Sequence, residues 1–276
     1  ARLSPGARIG FQSEQVTHAL FTQIADGLSA LSPELVAADD DLAGLRAVKS
    51  QREIELLRAA AVPLDATFEW LYAQRLTGMT ERQVAWALER RLREHHGADA
   101  LAFETVVAWG PHGASPHHTA SDTVIEPGAL LVVDIGCVID GYRSDMTRTL
   151  AIGPPDPLGA EVHAVVCGAQ QAALERLVPG VAGDAVHAAA AEVIDAAGHA
   201  GRFPHGVGHG IGLELHESAY CDEGVTETLA AGHVVTVEPG VYLPGRLGVR
   251  IEDEVAITED GYERLTSLSA ELVVCH

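Results

Sequence analysis

Four carboxylates and one imidazole carry the chemistry this 276-residue sequence can do: Asp134, Asp145, Glu238, Glu252 and His209. An oxygen-rich set with one imidazole suits divalent cations. Two such ions would match the four negative side chains charge for charge, which removes the repulsion that gathering them would cost. The set is too hard for a cysteine-type structural zinc site and too acidic for a single catalytic zinc. Calcium would rarely recruit the imidazole.

A hairpin must position the first two. Val132 to Ile139 and Tyr142 to Thr149 read as strands joined by Asp140-Gly141. Asp-Gly is the dipeptide of a type I′ turn, in which both central residues take positive φ. That turn sets the register: Ile139 faces Tyr142, Gly136 faces Asp145 and Asp134 faces Thr147. Side chains alternate with period two, so Val132, Asp134, Gly136 and Val138 share a face with Arg143, Asp145, Thr147 and Thr149. Asp134 and Asp145 become diagonal neighbours, about 7–8 Å apart at Cα, with Gly136 expected to leave a gap beside Asp145. Val133, Ile135, Cys137 and Ile139 form the core face. Taken alone, the hairpin would equally suit a solvated face with two ordinary aspartates.

The remaining groups sit on comparable elements. Val234 to Glu238 reads as a strand ending at Pro239-Gly240, and Gly248 to Ile257 as another. In the latter Val249, Ile251, Asp253 and Val255 share one face, and Arg250, Glu252 and Glu254 the other. His209 lies in the run His205 to Gly212, whose alternating glycines forbid a helix and let the backbone approach something closely. No helix or acidic residue follows as a dinucleotide site would need. Helical periodicity covers 48–76, with a kink or break expected at Pro63. Thr80-x-x-Gln83 is a capping box opening a second helix that ends at Gly97. Val84, Leu88 and Leu92 face inward there, and Arg90, Arg91, Arg93 and Glu94 face water. Leu101 to Trp109 reads as one strand, 110–118 as an irregular loop. Ala-rich helices are expected at about 160–178 and 184–197, the second capped by Asp184. His18, His95, His96, His163, His187, His199 and His233 read as solvated or capping.

The net charge of −21 argues against nucleic acid and anionic membranes as partners. Four dispersed cysteines form neither a disulfide framework nor a zinc motif and read as free thiols in a reducing compartment. No run approaches the roughly 18 apolar residues of a membrane span, and no signal peptide is recognisable, so a cytoplasmic location is expected. Residues 1–45 are too short for their own core and read as an appendage or the end of a smaller N-terminal domain. Residues 46–276 are expected to form the main domain, the one that carries the five groups.

In order along the chain stand Pro116-His117, Asp134-Ile135-Gly136, Ser144 to Thr149, His205 to Gly212, Glu238-Pro239-Gly240 and Val249 to Asp253. This series resembles the pita-bread metallopeptidases, which include prolidase, aminopeptidase P and methionine aminopeptidase. Val249 to Asp253 and the lead-in Leu45 to Lys49 are most similar to the proline-specific branch. The resemblance implies an α+β pita-bread (creatinase/aminopeptidase) fold: a curved antiparallel sheet with helices packed on its outer face. It also implies two divalent metal ions per chain, with Asp134 on one, His209 and Glu238 on the other, and Asp145 and Glu252 bridging both. Manganese is the expected metal, and cobalt, zinc or iron would fit the same ligands. His117, His205 and His216 match substrate-side histidines, His117 resembling the proton shuttle and His216 or His205 an oxyanion stabiliser. Glu238 doubles as proton carrier to the leaving nitrogen. Arg250 matches a residue near the proline side; a structural ion pair with Glu238 or Glu252 is its other reading.

The function so implied is hydrolysis of small peptides with proline second, as Xaa-Pro dipeptides, by a homodimer. The alternatives are aminopeptidase P activity on longer Xaa-Pro peptides and a non-catalytic pita-bread binding module. An amidinohydrolase of this fold would lack the metal ligands, which are all present here.

Overall fold

The Asp140-Gly141 turn forms as expected, with φ of +50° and +85° at its two residues. Strand Ala129–Ile135 pairs antiparallel with Met146–Ile152, Asp134 opposite Thr147, and Ile139 pairs with Tyr142 beyond. The register therefore runs unbroken, but the ladder does not. Gly136 and Asp145 fall between paired segments, and the expected gap beside Asp145 is absent. A Cβ at position 136 would collide with the Phe103 ring, Ala102 and the Ser144 carbonyl. Glycine is required there because a neighbouring segment fills the space.

The computed structural model describes residues 3–276, which divide between Ala47 and Val48 into two units. The first contains a parallel pair of strands, Arg8–Phe11 and Glu34–Ala37, and helices His18–Leu28 and Asp39–Ala47. Among its described residues only Ala47 is buried.

The second unit has two halves of similar plan. In one, an antiparallel array of Val106–Trp109, Ala129–Ile135 and Met146–Ile152, extended by a short parallel strand at Val274–Cys275, packs against helices Gln51–Tyr72 and Glu81–His96. Leu64, Phe68, Leu88 and Leu92 meet Val107, Leu131, Val133 and Ile135 in the core between them. In the other, Glu217–Cys221, Gly208–Gly210, Val234–Val237, Asp253–Ile257 and Tyr262–Arg264 form a five-stranded antiparallel sheet. It packs against Pro157–Leu174 and Gly183–Ala196 through Val162, Val166, Val186, Ile194, Val235, Val237 and Val255. Each such side chain contributes about 1.5–3 kcal/mol on burial. The alternating glycines allow the close approach: a Cβ at Gly208 would strike the Thr236 carbonyl, and one at Gly210 the Ser218 carbonyl. Among the described residues no helix is long and apolar enough to cross a membrane.

Several local expectations are corrected. Helix Gln51–Tyr72 continues through Pro63 without the break expected there, with Ala60, Ala61 and Leu64 around it fully buried. The strand expected at 101–109 is two, Ala100–Leu101 and Val106–Trp109. The strand expected at 248–257 also divides, because it changes partner: Arg250 pairs with Gly240, whereas Asp253 pairs with Val237. Asp184 sits in the first helical turn, and Ala182 takes the capping position. Arg91 is half-buried, its guanidinium 5.4 Å from the Trp70 ring. His163 and His233 are buried rather than solvated.

Candidate metal centre

Each acidic group stands where a strand starts, ends or is interrupted. Asp134 belongs to Ala129–Ile135, and Asp145 immediately precedes Met146–Ile152. His209 is the middle residue of Gly208–Gly210, Glu238 follows Val234–Val237, and Glu252 lies in the partner-switching break. All five border one cavity of about 610 Å³, together with His117, His205, His216 and Arg250. Potential ligand atoms of Asp145, His209 and Glu252 lie within 4.8 Å of one another. His209 Nε2 is 3.4 Å from Glu238 Oε1 and 3.9 Å from Asp145 Oδ2.

The electrostatics of this cluster are those of more acceptors than donors. Burial, reinforced by the neighbouring acids, pushes Asp145 and Glu252 well above the carboxylate range. Burial pushes Glu238 up to about 7. Burial also lowers His209 to about 4, leaving it neutral. Its Nδ1–H donates to the Gly210 carbonyl at 3.0 Å, so the Nε2 lone pair faces the acids. Among the described residues, Asp134 Oδ1, Asp145 Oδ1 and Glu252 Oε1 are buried without a hydrogen-bond partner. Orphaned acceptors of this kind cost roughly 1–3 kcal/mol each, more when charged. Cations among them would satisfy oxygens and lone pair together, so the residues fit divalent metal.

Neighbouring side chains hold the acids by their other atoms. Arg250 donates to Asp134 Oδ2 at 2.6 Å, to the Tyr242 hydroxyl at 3.1 Å and to Thr147 Oγ1 at 3.1 Å. Arg250 therefore pairs with Asp134, not with Glu238 or Glu252, because the hairpin brings Asp134 beneath it. Thr147 donates to Glu252 Oε2 at 2.6 Å, and Glu254 accepts the Asp145 N–H. Thr236 Oγ1 accepts the His209 N–H and lies 3.2 Å from Glu238 Oε1, to which it can donate. Behind Glu252, Arg148 forms a buried ion pair with Asp253 at 2.6 Å and donates to the Glu252 carbonyl.

The histidines divide. His205 Nδ1–H donates to the Gly206 carbonyl at 2.8 Å, so its Nε2 accepts the Tyr242 hydroxyl at 2.8 Å. Both nitrogens of His205 are thus engaged by the protein, and burial lowers it to about 4. His216 and His117 are exposed at the cavity, the His216 ring 4.1 Å from that of His209. Tyr242 was not singled out by sequence; a tyrosine on an apolar strand reads as packing.

Glu81, also missed, anchors a second cluster. It is fully buried in the first turn of Glu81–His96. Its oxygens accept from Trp109 N (2.8 Å), His112 Nδ1 (2.8 Å), His118 Nε2 (2.9 Å), Ser121 N (3.0 Å) and Ser121 Oγ (2.6 Å). Burial pushes this carboxyl up, but the hydrogen bonds outweigh it and bring it down to about 2.

Residues 55–259 match the model of metallopeptidase family M24. The chain belongs to metallopeptidase family M24. Among the relatives of this M24 chain, the Xaa-Pro dipeptidase of Pyrococcus furiosus is 39% identical over 240 residues, 87% of this chain and 69% of that protein. The peptidase YqhT of Bacillus subtilis is 38% identical over 267 residues, 97% of this chain and 75% of that protein. The X-Pro aminopeptidase of Thermotoga maritima superposes with a TM-score of 0.92 at 37% identity, covering 97% of this chain and 75% of the other. The α+β pita-bread architecture expected from the motifs is therefore the M24 fold.

Proposed function

We propose that this M24 metallopeptidase hydrolyses the Xaa-Pro bond of dipeptides. The observation that carries this reading is the set of buried acceptors, Asp134 Oδ1, Asp145 Oδ1, Glu252 Oε1 and His209 Nε2, beside one cavity. In this reading Asp134, Asp145, His209, Glu238 and Glu252 would hold two divalent ions, Asp145 and Glu252 shared between them. Bound there, the ions would supply the charge that polarises a carbonyl and lowers the pKa of water. The oxygen-rich donors support manganese, and cobalt, zinc or iron fit the same groups.

The protein's own groups supply the rest. Glu238 carries a proton to the prolyl nitrogen. That nitrogen has no N–H in the substrate, so a site reading a peptide N–H there could not use it. His117 and His216 face the cavity and contact substrate, and His216 stabilises the oxyanion. His205 serves by holding Tyr242, because both of its nitrogens are spoken for. Arg250 holds Asp134 and the proline side of the cavity in register. Four free cysteines, three of them buried, support a reducing cytoplasmic setting.

A second reading, release of the first residue from longer Xaa-Pro peptides, is favoured by the likeness to the Thermotoga maritima enzyme and by a cavity of about 610 Å³. Assays of an Xaa-Pro dipeptide and an Xaa-Pro-Xaa tripeptide, on protein of measured metal content, separate the two. A higher kcat/KM for the dipeptide is expected, and preference for the tripeptide selects the second reading. Sedimentation tests the homodimer that the family resemblance implies.

A further inference from the structure

The Glu81 cluster lies outside the proposed metal ligands, yet one of its members, His118, borders the same cavity. The carboxylate joins three parts of one segment. It accepts from Trp109 N at the start, from both imidazoles in the middle, and from Ser121 N and Oγ at the end. The first turn of Glu81–His96 adds backbone ties, with Arg82 N donating to the Ser121 carbonyl and Glu81 N to the Thr123 carbonyl. Between these anchors lie Pro116 and His117. Arg250 Nη1 donates to the Pro116 carbonyl at 3.4 Å while Nη2 holds Asp134.

An ionised carboxylate only accepts, so both imidazole nitrogens that meet Glu81 carry hydrogen. In neutral His118, Nε2–H is then fixed by Glu81, and Nδ1 is the lone pair left to a ligand. The His118 ring is further constrained by stacking on His112, centroids 4.4 Å apart. We propose that Glu81 is a positioning residue for substrate binding: it anchors the 109–121 segment along the cavity and sets the His118 tautomer so that Nδ1 accepts a hydrogen bond from the α-amino group, the one backbone donor an Xaa-Pro dipeptide has. The three potential ligands of this cluster, Glu81, His112 and His118, could also suggest a cation. Both Glu81 oxygens are already filled by N–H and O–H donors, however, unlike the orphaned acids across the cavity.

The inference rests on the peptidase reading, and two measurements separate them. Long-range proton–nitrogen NMR on zinc-loaded protein reads the tautomer without reference to turnover. His118 is expected as the Nε2–H form, and Glu81→Gln should lose that signature. Wild-type protein without peptidase activity would defeat the peptidase reading and leave this tautomer result standing. In kinetics, His118→Gln, whose amide can still donate to Glu81, should raise KM about tenfold with kcat within about threefold. Glu81→Gln should shift KM in the same direction with metal content unchanged. An unaltered KM in His118→Gln, an Nδ1–H tautomer in the wild type, or zinc bound at His112 and His118 would each overturn the proposal. If Glu81→Gln does not fold, the tautomer and His118→Gln decide.

Discussion

Two of the places where the second unit buries carboxylates are treated oppositely. Glu81 has five donors on two oxygens and is held as an anion at about 2. Asp145 and Glu252 are buried, Glu238 is half-buried beside them, donors are few, and all three are pushed upward, Glu238 to about 7. Burial raises a carboxyl pKa in both places, and the supply of hydrogen-bond donors decides the outcome. A satisfied buried anion stiffens the chain around it. An unsatisfied cluster is costly without a cation, and that cost is the signature of a binding site rather than of a scaffold.

The largest way to break this contrast is to remove a proposed metal ligand. Glu252→Ala should reduce turnover by about 1,000-fold or more and lower bound metal, measured by elemental analysis. A variant retaining metal and full activity would refute its place among the ligands. Next in size, Glu81→Gln should cost about 3 kcal/mol of stability, because a donor-rich pocket loses its anion. Denaturant titration checks this, and an unchanged midpoint would show that the donors find other partners.

The pH dependence should have opposite sign at the two places. Glu81 is depressed below its unfolded value of 4.5, so its contribution is complete above that pH and is lost as pH falls towards about 2. Glu238, Asp145 and Glu252 are raised, so with metal removed by a chelator they oppose folding at high pH and relax as pH falls. Chelated protein should therefore gain on the order of 5 °C in Tm between pH 8 and pH 5. Metal-loaded protein should not, and the same rise with metal bound would contradict the assignment. Smallest, Tyr242→Phe should cost about 1 kcal/mol, since it removes the hydroxyl between Arg250 and His205. Thermal unfolding resolves a change of that size, and no shift would mean water replaces the hydroxyl.

What could be read from sequence was what neighbours along the chain enforce. The Asp140-Gly141 turn determined the register of Asp134 against Thr147 because positive φ and period-two alternation are local properties. The capping box at Thr80 formed for the same reason. The five proposed metal-binding residues do border one cavity, but several finer readings that needed remote partners failed. The gap beside Asp145 is closed by Phe103, and the strand at 248–257 breaks because it pairs with two different strands. Glu81 escaped notice because an acid in a first helical turn is the ordinary complement of the helix dipole. The structural ion pair that is the second reading of Arg250 forms with Asp134, 116 residues away, and not with Glu238 or Glu252.

Sequence alone determined which acids and histidines the chain carries, how they alternate on their strands, and that such a set suits divalent cations. Tertiary structure decided which buried carboxylate is complete and which is waiting for charge. Glu81 draws its donors from residues 28 to 40 positions away. Asp134, Asp145 and Glu252 each keep an oxygen with no donor among the described residues. Whether burial is compensated depends on groups that only folding brings within hydrogen-bonding distance, and no local pattern encodes that.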